Sequence, residues 1–391
     1  MLFGGGQGTF GETILQLTSI ALLVILVQQN PDIRAWPKAS IWAILPLIAV
    51  LLFLLPWPSA WQQAGIARMQ LVEILQPVIG PLNVQGSLTP MASERALFWL
   101  LPAIALYCSV LQMHFEEKKY VVATLIFWVF VGAIVGLAQK ADGVNSALYF
   151  YSNTNRGSSV GFFANNNHYA ISLAITLPLV WTALIGLFNR RMQQPVHPLW
   201  FVMFAGIAIL FILGFMLSGS RAGLALGMLG CLLMLPAVIM ADQHKGAKHW
   251  VFAVFAIGLI FSIQLGLYFI SMQFAPDPMS DLRLEIYPIV REAATQFAPV
   301  GSGPGSFWFA FPHYGGMLAG NLIINHAHND YLELWLEMHW LFIAVAMPLL
   351  LAFIWQSARV WFRARLYKTD SVLLARASSI GIFLLIVHSS I

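Results

Sequence analysis

Long apolar runs, separated by shorter polar connections, make up most of the chain. A helix needs about 20 predominantly apolar residues to cross the hydrocarbon core of a bilayer. The pattern therefore predicts an all-α fold, a polytopic membrane helix bundle of about ten transmembrane helices. The predicted spans are 12–29, 40–56, 95–113, 120–138, 168–188, 198–217, 222–240, 250–271, 340–357 and 372–390.

Composition excludes an ordinary soluble protein. Charged residues make up 9% of the chain, whereas an average soluble domain has roughly 25%. Because a lipid-facing surface is apolar, we expect a single integral membrane domain over residues 1–391. The net charge of +4 is small and the basic residues are scattered, so the lipid bilayer is an expected partner and nucleic acid is not. Cys108 and Cys231 lie within apolar runs and predict neither a disulfide nor a metal cluster.

The distribution of basic residues predicts the orientation. Most of the 20 lysines and arginines fall in the short connections on one side of the predicted bundle, and basic short loops are typical of the cytoplasmic side. The long stretches 57–94, 139–167 and 272–339 are then exported, and 272–339 is a large periplasmic loop. ATP is absent outside the bacterial inner membrane, so chemistry on that face needs a substrate that is already activated, such as one carried on a lipid.

The first polar cluster lies just before the span at 168–188. Asn153, Asn155 and Arg156 are followed by the segment GSSVGFFANNNHYA, which contains Asn165, Asn166, Asn167 and His168. One asparagine is enough to cap a helix. Three asparagines and a histidine therefore favour a binding site over capping alone.

The second cluster is the segment LSGSRAGLALG at 217–227. Arg221 lies between two apolar runs, where an arginine either extends to lipid phosphate or pairs with an anion. Its small neighbours, Ser220 among them, allow a ligand to approach closely. The planar guanidinium group matches phosphate oxygens, so this cluster predicts a phosphate site.

The third cluster, NHAHNDYLELWLEMHW at 325–340, is the strongest signal. A helix that begins near Asn329 would place Asp330, Glu333 and Glu337 on one face, with His326 and His328 at its start. A histidine beside carboxylates can act as a base near neutral pH. The alternatives are a solvated helix start and a zinc site, for which no third ligand lies nearby in sequence.

Two further segments lie between the second and third clusters. Arg283, Tyr287 and Arg291 recur every four residues and predict one helical face, which Pro288 would kink. The glycines of GSGPGSF at 301–307 follow no strand and predict a tight turn rather than a nucleotide loop. The aromatic residues after them predict an interfacial belt or a sugar platform, namely Phe307, Trp308, Phe309 and Phe311.

These motifs, in this order, resemble the O-antigen ligase/polymerase family. The segments that carry the resemblance are RGSSVGFFANNN from Arg156 to Asn167, SRAG from Ser220 to Gly223, GSGPGSF from Gly301 to Phe307, and HNDYLELWLE from His328 to Glu337. The resemblance implies a GT-C-like bundle with a partly helical periplasmic loop. It also implies a metal-independent membrane glycosyltransferase of surface polysaccharide biosynthesis that needs no cofactor.

The resemblance also implies roles for individual residues. An undecaprenyl-diphosphate-linked glycan would be the donor, and a glycan, lipid A-core or protein would be the acceptor. His328 would be the general base, and Arg221 and Arg156 would bind the diphosphate. The expected substrate-binding residues are Asn165, Asn167, Ser220, Arg283, Arg291, His326, Asn329, Asp330 and Glu337.

Two features depart from the family pattern. Family ligases usually have glycine where this chain has His339. The segments LFGGG at the start and IVHSSI at the end resemble the interior of longer members, so we expect a chain that is cut at both ends.

Three other functions remain open at this stage. A protein O-oligosaccharyltransferase would share the donor chemistry. A small-anion transporter of the bicarbonate-carrier type would need ionisable groups near the bilayer midplane, and the polar clusters lie instead at span ends. A non-catalytic scaffold would show no dependence on Arg221 and His328.

Overall fold

The computed structural model describes residues 9–32, 34, 36–79, 85–191, 194–241, 278–315, 324, 326–363 and 369–390. Within these ranges the chain is helical, without a β-strand, and an isolated bridge joins Pro56 to Gln85. The α-helices are α1 Thr9–Gln29, α2 Ile44–Leu54, α3 Ser59–Gln62, α4 Ile66–Ile79, α5 Pro90–Gln112, α6 Phe115–Asp142, α7 Asn166–Arg191, α8 Pro198–Leu217, α9 Arg221–Ala241, α10 Pro278–Gln296, α11 Phe307–Ala310, α12 Pro312–Gly315, α13 Asp330–Met338, α14 Trp340–Ala358 and α15 Asp370–His388. A 3₁₀ helix, Lys38–Ala43, leads into α2, and a π-helix, Arg359–Arg363, continues α14.

The predicted polytopic helical membrane protein is confirmed. Eight helices in the described ranges are long and apolar enough to cross a membrane, judged by length and composition. A shorter apolar segment, Lys38–Leu54, corresponds to the predicted span 40–56. The predicted span 250–271 lies outside the described residues. The cytoplasmic and periplasmic assignments of the loops and the GT-C-like architecture stay predictions.

The chain divides into two compact units. Unit 1 comprises Met1–Glu12, His114–Ala275 and Ile354–His388, and unit 2 comprises Thr13–Met113, Pro276–Phe353 and Ser389–Ile391. The expectation of a single membrane domain stays a prediction. The candidate residues of the first two polar clusters belong to unit 1, and those of the third belong to unit 2.

Helix α7 is the centre of unit 1 and packs against α8, α9 and α15. Its apolar side chains are buried around most of the helix, as expected for a helix enclosed by other helices. Gly223 allows α9 to approach closely, because a Cβ atom there would overlap the Cβ of Ala170 on α7. Small residues at helix contacts are typical of membrane bundles, where they let backbones come together.

Unit 2 contains helix α10, which packs against α13. Ile286, Val290, Ala293 and Phe297 recur at helical spacing and are buried in one apolar cluster. Helix α10 confirms the predicted helical segment around Arg283, Tyr287 and Arg291, and it continues through Pro288. Helix α4, which lies in the stretch predicted to be exported, was not predicted.

Candidate functional site

The two polar clusters of unit 1 lie together. The Oγ atom of Ser220 donates a hydrogen bond to the Oδ1 atom of Asn167 over 2.6 Å. Asn166 donates from its Nδ2 atom to the carbonyl oxygen of Ser218 over 2.9 Å. Residues separated by about 50 positions in sequence thus form one partly buried polar cluster, where the helices α7 and α9 begin.

Each of these helices is capped by a residue of its own cluster. Asn165 precedes α7, and its Oδ1 atom accepts the backbone N–H of Asn167 at 2.7 Å. Ser220 precedes α9, and its Oγ atom accepts the N–H of Gly223 at 2.9 Å. Both contacts are ordinary N-caps. Ser220 therefore has two functions, since the same hydroxyl group caps α9 and binds Asn167.

A buried glutamine holds the loop that carries the first cluster. Gln139, at the end of α6, donates to the carbonyl oxygens of Leu148 and Gly161 over 2.9 Å each. Its Oε1 atom accepts the N–H groups of Val160 at 3.0 Å and Gly161 at 2.8 Å. Gln139 was not predicted from the sequence, because a single glutamine within an apolar helix has no distinctive spacing.

The two candidate arginines of unit 1 are both exposed. Arg156 lies over the ring of Tyr149 at 5.5 Å and donates to the carbonyl oxygen of Val144 over 3.3 Å. Arg221 is the first residue of α9. A helix N-terminus presents free backbone N–H groups and a partial positive charge, so an arginine there favours phosphate oxygens.

The predicted helix at the third cluster is present in unit 2. Asn329 is its N-cap, and the Oδ1 atom of Asn329 accepts the N–H of Leu332 at 3.1 Å. Asn329 also donates to the carbonyl oxygen of Ser390 over 3.1 Å, and the N–H of Asp330 donates to that of Ser389 over 2.8 Å. The side chain of Asp330 is exposed. The cap at Asn329 and the bond from Asp330 to Ser389 therefore fix where α13 begins.

His328 has an unusual backbone conformation directly before this cap. Its φ angle is 55°, in the left-handed region that non-glycine residues seldom adopt. Its carbonyl oxygen accepts a hydrogen bond from the Tyr287 hydroxyl group at 3.3 Å. Such backbone strain is concentrated at functional sites, which is consistent with the role predicted for His328.

His326 and Glu333 form a pair at the start of α13. The Nδ1 atom of His326 lies 2.9 Å from the Oε1 atom of Glu333. The other oxygen of Glu333 accepts the N–H of Ala327 at 3.0 Å. The hydrogen bond to Glu333 raises the pKa of His326, against the opposing effect of partial burial.

Glu337 occupies a different environment from Glu333, although both lie on the same predicted face. Its side chain is buried, and its two oxygens accept the N–H groups of Gly305 and Phe307 at 2.9 Å each. Burial, with a smaller contribution from the nearby Glu333, raises the pKa of Glu337 to about 8, although the two amide donors act in the opposite direction. Its predicted contact with substrate stays a prediction.

The glycine-rich segment forms the predicted tight turn. Gly301, Gly303 and Gly305 have φ angles of 87°, 114° and 77°, which only glycine adopts readily. The N–H of Gly303 donates to the carbonyl oxygen of Glu337 over 2.8 Å. A Cβ atom at Gly301 would overlap the same carbonyl group. The turn therefore lies directly against the last turn of α13.

The aromatic residues after this turn do not share one surface, and the expectation of a common belt or sugar platform is wrong. Phe307 and Phe311 are buried and stack with a ring separation of 4.9 Å. Trp308 and Phe309 are exposed. Phe307 and Phe311 are about one helical turn apart and face the interior, whereas the two residues after Phe307 face outward, which the aromatic run in the sequence did not reveal.

Helix α10 exposes an open groove of about 490 Å³, whose lining surface is mostly apolar. Tyr287, Arg291 and Thr295 line it at intervals of four residues, together with Pro288 and Glu292. The predicted alignment of Tyr287 and Arg291 on one face is thus confirmed. The side chain of Arg283 lies outside the described part of the structure.

His339, where family ligases have glycine, also has a positive φ angle, of 44°. It ends α13, a position that commonly favours glycine. Its buried ring lies 4.0 Å from the ring of Trp335, and burial lowers the pKa of His339. The stacking contact provides a reason why this chain accommodates a histidine here.

Three or more histidine, cysteine or acidic side chains do not come together as a metal site within the described ranges. Metal independence stays a prediction. The residues brought together are Asn165, Asn167 and Ser220 beside Arg221 in unit 1, and His326, His328, Asn329 and Asp330 in unit 2.

Comparison with known families adds independent support. A family model described as O-antigen ligase matches residues 205–340. No curated protein and no solved structure gives a significant match to the chain. The matched segment contains Arg221, Arg291 and His328, whereas Arg156 and Asn165 lie before it. The match supports glycan transfer of the ligase/polymerase kind and a multi-pass membrane protein. Over residues 205–340, the chain is therefore similar to the O-antigen ligase family, and this match supports the predicted ligase/polymerase assignment.

Proposed function

We propose that this protein transfers a glycan from an undecaprenyl-diphosphate carrier to an acceptor hydroxyl group, at the periplasmic face of the bacterial inner membrane. One observation carries the proposal: the matched segment contains both Arg221 and the His-Asn-Asp start of α13. The first supplies positive charge for a diphosphate, and the second supplies a base for an alcohol. These are the two groups that glycosyl transfer from a diphosphate needs.

The donor side of the reaction is proposed for the first two polar clusters. Arg221 and Arg156 would bind the diphosphate oxygens, and the exposed guanidinium groups can form paired N–H···O contacts with phosphate. The capped starts of α7 and α9 add their partial positive charge. The Asn167–Ser220 hydrogen bond holds these two helix starts together. As the leaving diphosphate gains negative charge, these groups stabilise it without a metal ion.

The acceptor side is proposed for the third polar cluster. The acceptor oxygen attacks the anomeric carbon of the donor sugar, and the bond from that carbon to the diphosphate oxygen breaks. The hydroxyl proton passes to His328, and undecaprenyl diphosphate leaves with the bonding electron pair. His326, held by Glu333, and the exposed Asp330 would bind the acceptor. Asn329 fixes the start of α13 and therefore the position of His328.

The groove on α10 is the proposed place for further acceptor contacts. Arg291 and Glu292 offer charged hydrogen-bonding groups, and Tyr287 offers an aromatic face. Tyr287 also donates to the backbone carbonyl oxygen of His328, which supports this choice. Arg283, on the same helix, stays a predicted substrate-binding residue. The acceptor would be a growing glycan, lipid A-core or a protein.

Expression in a strain that lacks its native ligase and polymerase tests the proposal. Wild type, His328→Ala and Arg221→Ala are compared by gel analysis of surface polysaccharide at matched protein levels. The matched control is His313→Ala, which replaces an exposed histidine of unit 2. We expect long glycan from wild type and the control, and none from the other two variants. Long glycan from either of those variants would contradict the proposal.

A further inference from the structure

Arg68 is a fully buried arginine of α4, and its guanidinium group binds three separate parts of unit 2. It donates to the carbonyl oxygens of Gly301 and Gly86 over 2.6 Å each, and to that of Gln62 over 3.3 Å. It also lies 5.2 Å from the ring of Trp57. A buried charged group is costly unless it is hydrogen-bonded, so these three carbonyl groups determine where Arg68 can lie.

The contact with Gly301 links Arg68 to the glycine turn at 301–307. Arg68 holds the first residue of the turn, and Glu337 holds its other end through the N–H groups of Gly305 and Phe307. Between these ends, the N–H of Ser302 donates to the carbonyl oxygen of Leu336 over 3.1 Å. The turn is therefore attached to Arg68 on one side and to the last residues of α13 on the other.

We propose that Arg68 is a positioning residue, which sets the location of helix Asp330–Met338 through the glycine turn. The first turn of that helix carries the pair of His326 and Glu333 and follows the proposed base, His328. Arg68 lies outside the segment that matches the family model, and α4 lies in a region whose helix was not predicted. The consequence for catalysis rests on the proposed function, whereas the structural consequence does not.

The geometry requires an arginine in particular. A planar guanidinium group offers five N–H donors in fixed directions, whereas a lysine ammonium group is a compact charge on a flexible stem. Arg68→Lys keeps the positive charge but cannot reach three carbonyl groups with the same geometry. Arg68→Met keeps a long apolar stem and removes the charge. The matched control is Arg95→Lys, which replaces an exposed arginine of unit 2 that lies over Trp99 at 5.3 Å.

Hydrogen exchange on the full chain in nanodiscs tests the structural step. In Arg68→Lys and Arg68→Met, we expect backbone amides at 301–307 and 330–338 to exchange at least about tenfold faster, as loss of a charged hydrogen bond implies. Exchange in Pro90–Gln112 should stay unchanged, and Arg95→Lys should behave as wild type. Unchanged exchange at 301–307, or an equal increase throughout unit 2, would overturn the proposal.

Steady-state transfer kinetics test the catalytic step. Because Arg68 acts on the position of the base and not on donor binding, kcat should fall at least about tenfold in Arg68→Met while KM for the lipid-linked donor stays within about twofold. An Arg68 variant whose backbone amides exchange faster but whose kcat equals that of wild type would overturn the positioning role of Arg68. If wild type transfers no glycan, the proposed function fails, and the exchange pattern still decides whether Arg68 sets the position of the helix.

Discussion

Replacement of Gly301 by alanine tests whether the glycine turn packs against α13 as described. Two costs are expected. A non-glycine residue at a φ angle of 87° costs about 1–2 kcal/mol, because its Cβ atom crowds the backbone in the left-handed region. The new Cβ atom would also overlap the backbone carbonyl group of Glu337, and such overpacking costs about 1–3 kcal/mol more.

Gly143 provides a matched control for the first of these costs. Its φ angle is 81°, close to that of Gly301, and a Cβ atom there would meet nothing within 4 Å. Gly143→Ala should therefore cost about 1–3 kcal/mol from backbone strain alone, because a φ angle of 81° with a ψ angle of −161° is adopted essentially by glycine only. A larger loss in Gly301→Ala is then attributed to the contact between the turn and the helix.

The two free cysteines allow each unit to be followed separately. Cys108 is buried in unit 2 and Cys231 is buried in unit 1. In a chain with one cysteine replaced by alanine, a thiol-reactive dye reports the unfolding of the unit that holds the other. Gly301→Ala should lower the free energy of unfolding of unit 2, as reported by Cys108. This loss should be larger than the loss that Gly143→Ala causes in unit 1, as reported by Cys231. Equal losses would refute the packing of the turn against α13.

Three further predictions concern the polar contacts of the candidate site. Ser220→Ala removes the donor to Asn167 and should cost about 1–3 kcal/mol of unit 1 stability in the same dye assay; unchanged stability would contradict the described bond. The ionisation of Glu337 should lower the free energy of unfolding of unit 2 as pH rises from 4.5 to about 8. Its pKa is higher in the folded chain than in the unfolded chain, so unfolding in that window releases a proton. Glu337→Gln should weaken this dependence, and an unaltered slope would show that another group causes it. Glu333→Gln replaces the carboxylate that raises the pKa of His326 with a neutral amide, so the midpoint of His326 modification by diethylpyrocarbonate should move to lower pH; a midpoint that stays in place would exclude the pair.

The sequence predicted the membrane helices well, because long apolar runs have few alternatives in a bilayer. The described helices overlap nine of the predicted spans, counting Lys38–Leu54, and the tenth span lies outside the described residues. The start of α13 was also predictable, since Asn329 followed by acidic residues is a recognisable N-cap. Local chemistry determines both features.

The contacts that hold the site were not predictable. Arg68 and Gln139 each act through backbone groups that are distant in sequence, and neither lies in a recognisable motif. The different burial of Glu333 and Glu337 also depends on which elements pack beside α13. Periodicity places both carboxylates on one face, but only the fold shows that the glycine turn covers the second.

The most direct test of the proposed transfer uses purified protein in nanodiscs with a labelled undecaprenyl-diphosphate-linked glycan and an acceptor glycan. Wild type and His313→Ala should form product and release undecaprenyl diphosphate in equal amounts, while His328→Ala should be slower by at least about 100-fold, as expected for loss of a general base. Product formation by His328→Ala at the wild-type rate would contradict the assignment of His328 as the base and, with it, the proposed mechanism.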